Sequence, residues 1–153
     1  MTQMHPIPIA LPLAVGAIPV VCTIAIHTVT VIGTVNFFRL EKRRGHTGSS
    51  LWIDVAIVAP VILFAFMAHM VEIAIWAALF MICGEFRDFG TAYYHSAVNY
   101  TTLGYGDIIM SPAWRLLGPM EGADGALMFG VSTAMIFAVI QRLILAKYQD
   151  LRD

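Results

Sequence analysis

Charge is what this chain has least of. Only 12% of its 153 residues are Asp, Glu, Lys or Arg, where a soluble domain carries roughly a quarter. Hydrophobic residues make up 59% and the mean hydropathy is +0.77, more apolar surface than a soluble globule of this size could bury. The net charge of −1 excludes a basic footprint, so no nucleic-acid partner is expected. Cysteine is scarce as well. Cys22 and Cys83 both sit in apolar stretches, too few for a disulfide scaffold and in the wrong setting for a zinc site. The first residues lack a positive n-region and no small-residue cleavage site follows cleanly, so the first apolar run does not read as a secretory signal. These absences leave a bilayer as the solvent.

Three runs are long enough to cross one, since a spanning helix needs about 20 apolar residues. The first covers about Leu11 to Phe38 and holds no Lys, Arg, Asp or Glu; the second covers Leu51 to Cys83, with Pro60 expected to kink it. The third is expected to start at Ser111-Pro112, as N-cap and N1, and to run to about Lys147, with Gly118, Glu121, Gly122, Asp124 and Gly125 interrupting its first turns. Between the second and third lies Gly84 to Met110, read as a re-entrant segment with a short helix over Thr91 to Tyr100. Irregular backbone at that depth is tolerated only where protein buries it or it lines a watery cavity. Seven of the nine basic residues fall on one side, in the loop from Arg39 to Arg44 and after the third span. That asymmetry predicts the N-terminus and the re-entrant segment outside, and the 39–50 loop and C-terminus in the cytoplasm.

The chemistry is concentrated in Thr102-Leu103-Gly104-Tyr105-Gly106-Asp107. A potassium ion sheds water only where oxygens replace its hydration shell, and rings of backbone carbonyls from four chains around an axis do this. Directing successive carbonyls to one axis needs alternating backbone conformations, some at positive φ, which glycine enters without penalty. The pattern predicts K⁺ coordination by Thr102, Leu103, Gly104 and Tyr105, with K⁺ as permeant ion and no organic cofactor. Gly106 lets the strand turn, the Tyr105 ring is expected to wedge the strand against the pore helix, and Asp107 anchors the mouth. One strand per chain then requires three further copies, a homotetramer.

These residues resemble the pore-domain potassium channel family of bacterial type, whose filter reads T-V-G-Y-G-D or near it. The resemblance covers about Trp52 to Tyr148 as outer helix, pore helix, filter and inner helix, the last beginning at Trp114-Arg115. It implies an all-α membrane protein of three spans plus a pore helix in a tetramer around a central pore, sited in a bacterial inner membrane. Domains are expected at 1–50 (first span and basic loop), 51–148 (pore domain) and 149–153 (a short tail with no regulatory domain). By the same resemblance Gly125 would be an inner-helix hinge, and Phe129 and Thr133 would lie near the cavity. Leu103 stands where Val or Ile is usual. Val98 occupies a position where some bacterial members carry a Glu bonded to the filter's Asp, so the support of Asp107 falls to Tyr94, with Thr101 and Gly106 completing the filter's surroundings.

The first span lies outside that pattern and lacks the regularly spaced arginines of a voltage sensor. His27, His69 and Glu72 are expected to form a polar cluster at mid-depth, either a neutral patch joining the first span to the pore or a proton sensor. Glu121 is expected to brace the pore helix, and Asp124 to brace it or tune local cation concentration. Gly118 and Gly122 suit close helix approach. His95 reads as a hydrogen-bonded packing residue, and Trp52, Trp76 and Trp114 as interface anchors; His5 and His46 carry no argument. Two rival functions remain at this point. One is the pore-forming subunit of a potassium uptake transporter, which generally needs several degenerate loops in one chain. The other is an intramembrane metalloenzyme, although His69-x-x-Glu72 lacks the H-E-x-x-H membership of that motif.

Overall fold

The computed structural model describes residues 9–45 and 50–149; His5, His46 and the last four residues lie outside them. Four helices follow in order: α1 (Ala10–Arg43), α2 (Leu51–Ile82), α3 (Phe89–Tyr100) and α4 (Leu117–Gln149). No strand occurs among the described residues. α1, α2 and α4 are each long and apolar enough to cross a membrane. At 1.5 Å per residue, the 34 residues of α1 extend about 51 Å, further at both ends than the first apolar run predicts. α2 continues as one helix through Pro60.

One expectation for α4 needs correction. The helix begins at Leu117, not at Ser111-Pro112. Ser111 instead caps tight turns, its carbonyl accepting the Trp114 and Arg115 amides at 3.2 and 3.0 Å, and its own N–H and Oγ are taken by the Glu85 carboxylate at 2.7 and 2.6 Å. The glycines and acids of the first turns break the apolar run and not the helix. Each one meets a partner that only a small or polar residue could face.

Helix ends have local causes. α2 closes in a Schellman turn, Gly84 taking φ +78° while its amide reaches Met81 O and the Glu85 amide reaches Phe80 O. α3 opens on Asp88, whose carboxylate accepts from the Thr91 amide at 2.8 Å and the Thr91 hydroxyl at 3.1 Å. The Thr91 amide and hydroxyl hold that carboxyl below its ordinary range.

The chain divides into two compact units. The loop unit comprises Met1–Ala25 and Met70–Met128. Its buried large side chains are Trp76, Phe80, Ile73, Tyr100 and Leu117. The apolar unit comprises Ile26–His69 and Phe129–Asp153. Its core joins Phe38 of α1, Ile57, Val61 and Ala65 of α2, and Met135, Val139 and Leu143 of α4. Apolar packing between membrane helices depends on close van der Waals fit. Gly33 supplies one such approach, since a Cβ there would come within 3.1 Å of the Phe64 ring.

Candidate functional site

The loop after α3 begins where the helix runs out of amide partners. The Thr101 amide still reaches Ala97 O at 3.1 Å and the Thr102 amide reaches Asn99 O at 2.8 Å. Next, the Leu103 and Gly104 amides both turn back to Val98 O, at 3.0 and 3.2 Å. Positive φ falls on alternate residues, 61° at Thr102, 58° at Gly104 and 72° at Gly106. The two glycines enter that region freely. Thr102 does not, and a β-branched residue held there costs on the order of 1–3 kcal/mol, a strain that concentrates at functional sites. The donors of the first part of the loop are thus occupied by α3. Thr102 to Gly106 lies exposed on the chain.

The support of Asp107 comes from Tyr94, whose hydroxyl donates to Asp107 Oδ2 at 2.7 Å. That bond holds the Asp107 carboxyl below its ordinary range, so its contribution is present above the ordinary carboxylate pKa and is lost as pH falls through the lowered one. The ring of Tyr105 departs from expectation. It is 66% exposed, so within one chain it is not wedged against α3; the strand is held through its backbone amides instead.

Behind the loop, three buried polar contacts fix α3. The Ser96 hydroxyl bonds both Ile73 O, at 2.8 Å, and the Glu121 carboxylate. The Tyr100 hydroxyl donates to Glu72. His95 Nε2 meets Asn99 Nδ2 at 2.9 Å, and its ring packs between Phe80 and Phe86 at 5.5 and 5.0 Å. Glu121 therefore braces the pore helix. Asp124 does not reach a water-filled mouth: it is buried, and accepts from Thr23 Oγ1 at 2.9 and 3.0 Å and from Trp76 Nε1 at 2.9 Å. One carboxylate thereby ties α1, α2 and α4. Trp76 is fully buried, a donor to that carboxylate rather than an interface anchor, whereas Trp52 is 80% exposed.

Three of the α4 glycines face the end of α3. A Cβ at Gly118 would stand 3.4 Å from Asn99 Nδ2, and one at Gly122 3.3 Å from Asn99 O. A Cβ at Gly125 would overlap the carbonyl oxygen of Tyr100 and lie 2.9 Å from its carbon. Close approach thus gives Gly125 a reason to be glycine that owes nothing to bending.

In the apolar unit, His27 Nε2 and His69 Nε2 share Ser132 Oγ at 2.8 and 3.0 Å, with ring centroids 5.0 Å apart. Glu72, in the loop unit, accepts from the Tyr100 hydroxyl. Phe129 stacks on His69 at 4.5 Å. Thr133 is exposed and its hydroxyl returns to Phe129 O at 2.8 Å. Sequence reasoning missed Glu85, Thr23 and Ser132. A loop acid and two helix hydroxyls carry no local signal, because such hydroxyls more often bond their own helix.

Three membrane-length helices, a short helix and an irregular loop of alternating positive φ are the parts of a helical membrane channel. The chain belongs to the Ion channel family, whose profile matches residues 56–142, more than half of its length. Neither the curated proteins nor the solved structures yield a match. The family is one of conduction rather than catalysis, and the protein is an integral membrane protein.

Proposed function

We propose that the chain conducts potassium ions passively and selectively across a membrane, as one of four identical subunits around a central pore. The observation that carries this reading is the alternation of positive φ at Thr102, Gly104 and Gly106 together with the two amides turned back to Val98 O. That arrangement leaves the carbonyls of Thr102, Leu103, Gly104 and Tyr105 for ion coordination. A single chain offers one oxygen per level, and replacing a hydration shell needs a ring of them, so four copies complete the site. The exposure of Leu103 and Tyr105, 59% and 66%, is consistent with neighbouring copies covering them. Gly106 turns the strand, and Tyr94, Thr101 and Asp107 support it. The basic residues at Arg39 to Arg44 and beyond Arg142 favour a cytoplasmic C-terminus and an outward-facing loop, in a bacterial inner membrane.

The test is flux from purified protein in liposomes without an energy source. K⁺ and Rb⁺ should pass far better than Na⁺, Ba²⁺ should block, and cross-linking should stop at four chains. Tyr105→Asp should relax selectivity while the protein still folds. Equal Na⁺ and K⁺ permeability in the unaltered protein would sink the assignment.

A further inference from the structure

A groove of about 410 Å³ runs between α1 and α4 in the apolar unit, within the size range of small-molecule sites. Val31 and Val131 line one end, Arg39 and Arg142 line the other, and no carboxylate is among the lining residues. From Val31 to Arg39 the groove follows eight residues of helix, about 12 Å. Thr34 lies on the same wall. It is 2% exposed, and its hydroxyl has no hydrogen-bond partner. Other helix threonines are satisfied: Thr30 returns to Ile26 O at 2.9 Å and Thr23 to Val20 O at 2.8 Å. An unpaired buried hydroxyl is unfavourable, and here it stands five residues from Arg39, about 7.5 Å along the helix.

We propose that this groove is a binding site for one anionic phospholipid. Two guanidiniums at one end match a phosphate, which they can grip with paired N–H donors. The apolar walls take an acyl chain. The Thr34 hydroxyl sits one glycerol length deeper than the phosphate, where a lipid presents its ester carbonyl, and supplies the donor that carbonyl lacks in hydrocarbon. Zwitterionic phosphatidylcholine carries the same ester and tail, but its choline cation opposes the two arginines. A bound lipid would cross-link α1 to α4, the helix that follows the conducting loop. The inference rests on the membrane location of the helices and not on potassium selectivity.

The full-length protein is placed in phosphatidylcholine nanodiscs with graded phosphatidylglycerol, and the lipid retained after detergent extraction is measured by mass spectrometry. Phosphatidylglycerol should be retained in preference to phosphatidylcholine. Arg39→Gln with Arg142→Gln should abolish most of that preference, by about twenty-five-fold if each arginine contributes roughly a factor of five. Thr34→Val keeps both charges and the side-chain shape. It should weaken phosphatidylglycerol retention about two- to tenfold while leaving thermal stability in pure phosphatidylcholine equal or higher, because an unpaired hydroxyl has been removed. Undiminished preference in the double arginine variant overturns the site. Thr34→Val retention equal to the parent overturns the seating of the ester, and displacement of phosphatidylglycerol by palmitate overturns the choice of a phospholipid. Cross-linking of Val35→Cys between copies in lipid-replete discs would show the groove covered by a second chain, and would also overturn the proposal. Because the readout is retained lipid, a failure here is separable from a failure of the ion selectivity reading.

Discussion

The loop unit and the apolar unit use different forces to hold similar helices. In the loop unit, α3 and its neighbours are joined by carboxylates: Glu121 to Ser96, Glu72 to Tyr100, Asp124 to Thr23 and Trp76. In the apolar unit the same three long helices meet through Phe38, Val61, Met135 and Val139, with a small polar bridge at Ser132. Polar contacts are directional and fail when misplaced, whereas apolar packing tolerates exchange of similar volumes. A strained backbone such as that at Thr102 persists only where its surroundings over-determine it. The directional contacts are therefore found in the unit that must hold a strained loop.

Glycine substitution should break that contrast most sharply. Gly125→Ala places a methyl group on the Tyr100 carbonyl, and its cost should reach or exceed the upper end of overpacking penalties, about 3 kcal/mol. Gly130, in the apolar unit, has nothing within 4 Å of its missing Cβ, so Gly130→Ala should leave folding unchanged or slightly improved. The check is thermal stability and recovery of the assembled protein in detergent. If Gly125→Ala assembles normally and alters only open probability, bending rather than packing is why the residue is glycine.

Next in size is the carboxylate tie. Asp124→Ala strands the Trp76 indole in the membrane, a loss of about 1–3 kcal/mol if nothing replaces the partner, while the Thr23 hydroxyl keeps Val20 O. In the apolar unit, Met135→Leu changes shape but little volume and should cost under about 1.5 kcal/mol. Denaturation midpoints of the two variants, measured side by side, test the claim that the loop unit is the less forgiving. Equal losses would dissolve the contrast.

A smaller effect is expected at the mouth. Tyr94→Phe removes the hydroxyl that keeps Asp107 acidic. The carboxyl should then return toward its ordinary range, so any acid-induced loss of conduction should move to higher pH. The sign follows from the lowered pKa: the bond contributes above it and is lost below it. Flux measured on acidifying the Asp107 side, in parent and variant, checks the shift.

Much of this was legible in the sequence, and the reasons differ by feature. The spans follow from uninterrupted apolar runs, and the loop from two glycines spaced by Tyr105. Tyr94 as the partner of Asp107 followed from Val98 standing where an acid might have been. What could not be read was which buried acid meets which helix. The Asp124 carboxylate is a choice among three helices that local pattern does not encode. The start of α4 was misplaced because Ser111-Pro112 fits a cap locally, while the Glu85 carboxylate, 26 residues away, claims Ser111 instead. Trp76 followed an average preference of tryptophan for interfaces, and a single buried acceptor overrode it.

The smallest expected effect lies at Ser132, and it also has the sharpest internal logic. Serine carries one hydroxyl hydrogen and two lone pairs. With His27 Nε2 at 2.8 Å and His69 Nε2 at 3.0 Å, its oxygen can donate to one ring and accept from the other. When the hydroxyl hydrogen points to one ring and both rings are neutral, that ring carries its proton on Nδ1 and the other on Nε2. Nitrogen chemical shifts of the two side chains in labelled protein should show that pair of tautomers, and Ser132→Ala should abolish the constraint. Side-chain hydrogen bonds between membrane helices average about 0.6 kcal/mol, so Ser132→Ala should lower stability by about that much, well below Asp124→Ala. A double-mutant cycle of Ser132→Ala with His27→Gln isolates one half of the bridge, and the cycle with His69→Gln isolates the other. Coupling confined to one histidine would mean that the serine serves a single helix. Coupling to both would establish it as the polar joint of a unit otherwise held by apolar packing.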